Sequence, residues 1–132
     1  MSDLPARVHI AEVGPREGFQ FEPPHIQTAD KIRLIDALSQ TGVPEIECAS
    51  FVNPKVVPQM ADVFDIASGI MRQDRVTYGS MWLNAKGFLQ ARESGLYTPA
   101  LTSGSASDTF LQKNNNRTPD EQIDGQRKLR AL

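Results

Sequence analysis

The chain has 132 residues, enough for one domain with a real core. Hydrophobic residues make up 39% and charged residues 23%, which excludes a disordered or fibrous chain. A net charge of −2 argues against a nucleic-acid binder, which carries a basic stripe, and no run of about 18 apolar residues is present to span a membrane.

The first ten residues show no basic segment followed by an apolar stretch, so no secretory signal is read. One cysteine, Cys48, leaves no internal disulfide, and a reducing cytoplasm is the expected compartment. A small anionic substrate stays open, because it needs only a few local cations.

Residues 7–13 (RVHIAEV) are short, β-branched and followed by Gly-Pro, which predicts a strand. Thr28 then offers an N-cap to a helix over 29–41, with Ile32, Ile35 and Leu38 at helical spacing and Leu34 widening the stripe. Gly42 stands where a helix C-terminal glycine belongs. Residues 44–50 (PEIECAS) read as a second strand. A second helix follows over 58–70, with Pro58 in its first turn and Met60, Val63, Phe64 and Ala67 on one face. The third strand is predicted over 75–83, and Asn84 caps a helix over 85–94 that Gly95 ends. Residues 96–105 make a poorer fourth strand, interrupted by Pro99. Thr118, Pro119 and Glu121 form a helix start with a capping box.

Strands alternating with helices mean βαβ units, hence a parallel sheet with right-handed crossovers. Four βα units are counted, whereas a whole (β/α)8 barrel needs about 250 residues. Residues 1–132 therefore read as the N-terminal part of a single TIM-barrel domain, half of the barrel. Ile123, Leu129 and Leu132 carry an apolar pattern to the last residue, as expected of a truncated element.

In such folds the loops after the strand C-termini carry the chemistry. Arg16 and Glu17, fenced by Gly14, Pro15 and Gly18, come directly after the first strand, and Glu47 lies near the end of the second. A guanidinium and two carboxylates meeting there can hold a divalent metal and polarise a carbonyl. From spacing alone, the alternative is a solvated turn pair and a strand-end charge. Lys55 and Lys113 read as solvated loop lysines, the alternative being cations for the phosphates of a ligand. His9 is expected to be packed or at a sheet end, Cys48 to be a small core residue, and Phe64, Trp82 and Phe88 to be packing residues. The asparagines at 114–116 are expected to form a turn.

The segments VHIAEVGPREGFQFE, IECASFVNPKVVPQMAD, LNAKGF and ASDTFLQKNN resemble the N-terminal half of the hydroxymethylglutaryl-CoA lyases, from about Val8 to Asn114. The ungapped SFVNPKVVPQM block is the most specific piece. That metal-dependent barrel family shares a superfamily with isopropylmalate synthase and the transferase domain of pyruvate carboxylase. The resemblance implies cleavage of an acyl-CoA to acetyl-CoA and acetoacetate through a thioester enolate, a reaction of leucine degradation and ketone-body formation. It implies that Arg16 meets the developing oxyanion and that Glu17 ligates a divalent ion, Mg²⁺ or Mn²⁺. Glu47 and Gln20 would order the substrate and its proton transfers. The best-known members carry Asp where this chain has Glu17. Their remaining ligands, a His-x-His pair and an Asn, and a Gly-rich loop with a catalytic Cys, belong to the later half of the barrel. Here the histidines are His9 and His25, not so spaced. The complete protein is expected to be a homo-oligomer. Two other readings stay open: a non-catalytic half-barrel or assembly module, and a related aldol-type or condensing enzyme acting on another acyl-CoA or 2-oxo acid.

Overall fold

In the computed structural model, residues 4–23, 25–97 and 105–129 are described. Strands β1 (Ala11–Glu12), β2 (Glu45–Phe51) and β3 (Thr77–Trp82) form a parallel sheet in the order β1-β2-β3. Helices α2 (Thr28–Ser39), α3 (Val63–Gly69) and α4 (Ala85–Ser94) return the chain between and after the strands. A single turn, α1 (Gly14–Glu17), follows β1, and α5 (Asp108–Asn115) and α6 (Pro119–Leu129) complete the described elements. This is the α/β half-barrel expected from the alternating pattern.

The core lies between sheet and helices. Ile46, Cys48, Ala49 and Phe51 of β2, with Tyr78 and Trp82 of β3, are buried together with Ile35 of α2, Val63, Ile66 and Ala67 of α3 and Ala91 of α4. Burying a side chain such as Ile46 contributes about 1.5–3 kcal/mol. Phe51 meets Phe64 edge-on at 5.4 Å, and Trp82 meets Phe88 at 5.0 Å. Where α4 crosses the end of β2, a Cβ on Gly87 would lie 2.6 Å from Phe51 O, so only glycine allows that approach. Arg72 donates to Ala67 O and Gly95 O while lying over the Tyr78 ring, and so satisfies carbonyls at the ends of α3 and α4.

Several expectations need correction. The first strand is two residues long, because pairing begins at Ala11 with Glu45 and residues 7–10 run past the start of β2. Val8 and Ile10 are exposed there, while His9 Nε2 reaches Glu45 Oε2 at 2.8 Å, which fits its expected place at a sheet end. Thr28 is not the cap of α2: Gln27 precedes the helix, and the Thr28 hydroxyl donates to Asp62 instead. Leu34 is exposed, and buried Lys31 completes the inner stripe in its place. The second helix breaks into a 3₁₀ turn (Pro58–Met60) and α3, leaving Phe64 on the outer side. Of the fourth strand, Tyr97 pairs with Gly79, and residues 98–104 lie outside the described residues. Helix α5 was not expected. The Ser107 hydroxyl accepts from Phe110 N at its start, a cap hidden among small polar residues.

Three boundary readings hold. Asn84 Oδ1 accepts from Gly87 N, Gly95 ends α4 at φ 70, and Thr118 and Glu121 exchange the two bonds of a capping box.

Burial pushes the Cys48 thiol up from 9.0 to about 12. Folded Cys48 should therefore resist a disulfide reagent at pH 8 and react fully in urea. Since the folded thiol is the weaker acid, stability should be insensitive to Cys48 below about pH 9 and fall as pH rises toward about 12. A Cys48→Ala variant, lacking the group, should lose that alkaline decline in urea-unfolding curves.

Candidate active site

The turn after β1 is shaped by its own backbone. Glu12 Oε1 accepts from Gly14 N at 2.6 Å, and Glu17 N and Gly18 N close back onto Val13 O and Gly14 O. A Cβ on Gly14 would lie 2.8 Å from Glu12 Oε1, and one on Gly18 would lie 2.6 Å from Gly14 O. Glycine at both ends and Pro15 in the first turn therefore explain the fence around the charged pair.

That turn aims Arg16 across to β2. Its Nε and Nη2 each lie 2.9 Å from Glu47 Oε2, and its Nη1 donates to Glu17 Oε2. The side chain of Arg16 is 19% exposed and that of Glu47 22%, whereas Glu17 is 46% exposed. The solvated-turn alternative for Arg16 and Glu47 is thus disfavoured: one guanidinium ties the turn after β1 to strand β2 by pairing with a carboxylate on each. The trio keeps one negative charge in excess, a setting that favours a cation.

A cavity of about 510 Å³ opens over this group. Arg16, Glu17 and Gln20 form one wall, Met81 and Leu83 at the end of β3 another, and Ser105, Phe110, Leu111, Asn114 and Asn115 the third. Of the residues singled out in the sequence, Arg16, Glu17 and Gln20 are brought together here, with Glu47 behind Arg16. Lys55 and Lys113 are exposed and do not line the cavity. A larger space of about 740 Å³ between α4 and α6 has Lys86, Arg117, Lys128, Glu121 and Asp124 around it. It starts two residues after β3, at Asn84, but Arg16, Glu17 and Gln20 do not line it, and its charges of both signs give it no single chemical bias.

Sequence reasoning missed two parts of the wall and one buried hydroxyl near it. Asn114 and Asn115 belong to the last turn of α5 and face the cavity, while Asn116, at φ 49, makes the expected turn. Met81 and Leu83 gave only a strand signal. The Ser50 hydroxyl is buried without a hydrogen-bond partner among the described residues, and Ser50 pairs in register with cavity-lining Met81. A lone serine in an apolar strand carries no motif that would reveal it.

The comparisons with known proteins agree with this fold. The family model described as HMGL-like matches residues 7–131. A 3-hydroxy-3-isohexenylglutaryl-CoA/hydroxy-methylglutaryl-CoA lyase of Pseudomonas aeruginosa is 47% identical over 114 residues, 86% of this chain and 38% of that protein. The mitochondrial hydroxymethylglutaryl-CoA lyase of Rattus norvegicus is 46% identical over 121 residues, 92% of this chain and 37% of that protein. The crystal structure of the Bacillus subtilis HMG-CoA lyase superposes with a TM-score of 0.86 at 40% identity, over 96% of this chain and 42% of that one. An Acinetobacter baumannii HMG-CoA lyase in complex with coenzyme A and 3-methylmalate gives 0.82 at 35% identity, over 92% and 39%. The chain thus spans less than half the length of these relatives.

The two carboxylates should differ in worth. Glu47→Ala strands a part-buried guanidinium and should cost about 2 kcal/mol, while Glu17→Ala removes an exposed partner and should cost less than about 1 kcal/mol. Urea midpoints of the two variants check the order.

Proposed function

Because the chain belongs to the HMGL-like family, we propose that it supplies the N-terminal part of a carbon-carbon lyase barrel that cleaves 3-hydroxy-3-methylglutaryl-CoA to acetyl-CoA and acetoacetate. The observation that carries this reading is Arg16, fixed by Glu47 and Glu17 at the wall of a cavity at the strand ends. The names of the relatives, all acyl-CoA lyases, support the substrate class.

The reaction breaks the bond between C2 and C3 of the acyl group. The C3 hydroxyl gives up its proton and its oxygen becomes the ketone of acetoacetate. The bond pair passes to C2 and onto the thioester oxygen, and a proton returned to C2 completes acetyl-CoA. Negative charge therefore grows on the thioester oxygen, where donors set in advance help most. Arg16 has five N–H donors and commits only part of them to Glu47 and Glu17. Its planar fork can meet the oxyanion while Glu47 keeps it from swinging away. Gln20, on the same wall, has an amide to orient the hydroxyl or carboxyl group.

The donors present suit a hard divalent ion. Glu17 offers a carboxylate, and Gln20, Asn114 and Asn115 offer amide oxygens around the same space. Among the described residues no three His, Cys, Asp or Glu side chains converge, so Glu17 is proposed as one ligand of a set and not as the whole of it. When bound, Mg²⁺ or Mn²⁺ would supply Lewis-acid polarisation of the substrate oxygens. Lys55 and Lys113, exposed and off the cavity, are proposed to meet the coenzyme A phosphates, which lie far from the reacting carbons.

The alternative of a non-catalytic half-barrel draws on Val8 and Ile10, 68% and 59% exposed beside β1. In the lyase reading the same surface is covered by the closing part of the barrel. A homo-oligomer and a cytoplasmic location are proposed with it. Among the described residues no helix is long and apolar enough to cross a membrane, and relatives are named as cytoplasmic or mitochondrial.

In the complete barrel, Arg16→Lys keeps the charge but loses the fork, and kcat should fall by about 10²–10³ with little change in melting temperature. Turnover of hydroxymethylglutaryl-CoA near the wild-type rate would remove Arg16 from the mechanism. Titrating the same protein with Mn²⁺ tests the ligand: Glu17→Gln should weaken binding at least about tenfold, and unchanged affinity would return Glu17 to a plain ion-pair partner.

A further inference from the structure

Lys31, on α2, is 4% exposed. A buried ammonium persists only where its donors are met, and here they are. Nζ donates to Gln59 O at 2.6 Å and to both carboxylate oxygens of Asp62 at 2.9 Å. Thr28 Oγ1 donates to the same carboxylate at 2.8 Å, and Gln59 Nε2 donates to Glu22 O at 2.8 Å. The Phe19 ring lies 5.9 Å from Nζ.

The cluster therefore grips two loops at the same end of the sheet. One is the 3₁₀ turn Phe19–Phe21, which follows Arg16 and Glu17 and carries Gln20 into the cavity wall. The other is the connection from β2 to α3, which carries Lys55 and ends at Asp62. Core filling alone does not account for it, because an apolar pair of the same volume would avoid the desolvation cost. What such a pair lacks is a donor for Gln59 O, the bond that holds the second loop and, through the Gln59 side chain, the first.

We infer that Lys31 and Asp62 are positioning residues whose part-buried ion pair locks the turn after Arg16 and Glu17 to the loop after β2, keeping Gln20 in the cavity wall. Neither touches the reacting atoms. The inference rests on the lyase reading for its purpose, though the lock itself is independent of it.

Hydrogen exchange read by mass spectrometry on the 132-residue chain tests the lock, comparing wild type, Lys31→Met and the double variant Lys31→Met/Asp62→Leu. The single variant should melt lower and exchange faster over both 18–22 and 52–60. The double variant, with no unpaired charge, should regain most of the melting temperature. Its amides in both loops should nevertheless exchange about tenfold faster than wild type, with β3 unchanged. Loop protection restored along with stability, or loosening confined to one loop, overturns the inference. Should the double variant not fold, Gln59→Leu decides: faster exchange over 18–22 supports the lock and unchanged exchange rejects it. Exchange needs no substrate, so a lack of lyase activity in the complete barrel would defeat the functional reading without altering this result.

Discussion

β2 is paired on both sides by strands that run the same way, and the placement of every candidate residue follows from that. Parallel neighbours cannot be joined by a tight turn, so each connection must climb back over the sheet through a helix. All strands then end at one rim. Arg16 after β1 and Leu83 after β3 border the same cavity because of topology, and Glu47, on β2 just past its pairing with β1, lies within reach of Arg16. The apolar face of β2 makes the arrangement stable, since Ile46, Cys48 and Phe51 bury against α2, α3 and α4.

Lys31 and Arg16 are both largely buried cations held by carboxylates, and their donor accounts separate their roles. Lys31 has three N–H donors, and its contacts to Gln59 and Asp62 use them all. Nothing remains for a ligand, which fits a group that fixes structure. Arg16 has five donors, is only partly spent on Glu47 and Glu17, and borders open space. A charge that is both restrained and unsaturated suits an oxyanion, whereas a saturated one has become part of the scaffold.

Much of the layout was legible because it depends on local chemistry. Asn84, Gly95 and the Thr118–Glu121 box mark helix ends through bonds made within a few residues, and the structure has each of them. Arg16 and Glu17 stood out since a charged turn after an apolar strand needs a reason, whereas Gln20 came from the family resemblance alone. The misreadings involve partners distant in sequence. Thr28 is a good cap by type, yet Asp62, 34 residues later, takes its hydroxyl. Lys31 stands four residues before Ile35 on the inner face of α2, where its charge argues against burial, and its bonds to Gln59 and Asp62 explain how it is accommodated. Helix α5 carries its cavity-lining residues in a polar run whose periodicity is weak, so Asn114 and Asn115 read as a turn.

The register shift in β2 between Glu47 and Ala49 has its own effect on what the strand presents. Glu47 pairs with Gly79 and Ser50 with Met81, residues two apart on β3, although Glu47 and Ser50 are three apart. Cys48 is the added residue, and it acts as a phase slip: the inside-outside parity of the strand reverses as the chain passes it. Odd positions look inward before the slip and even positions after it. Simple alternation would have sent Ser50 to the helix side with Ile46. The slip sets it beside cavity-lining Met81 instead, a hydroxyl behind the wall that strict two-residue counting would assign to the core.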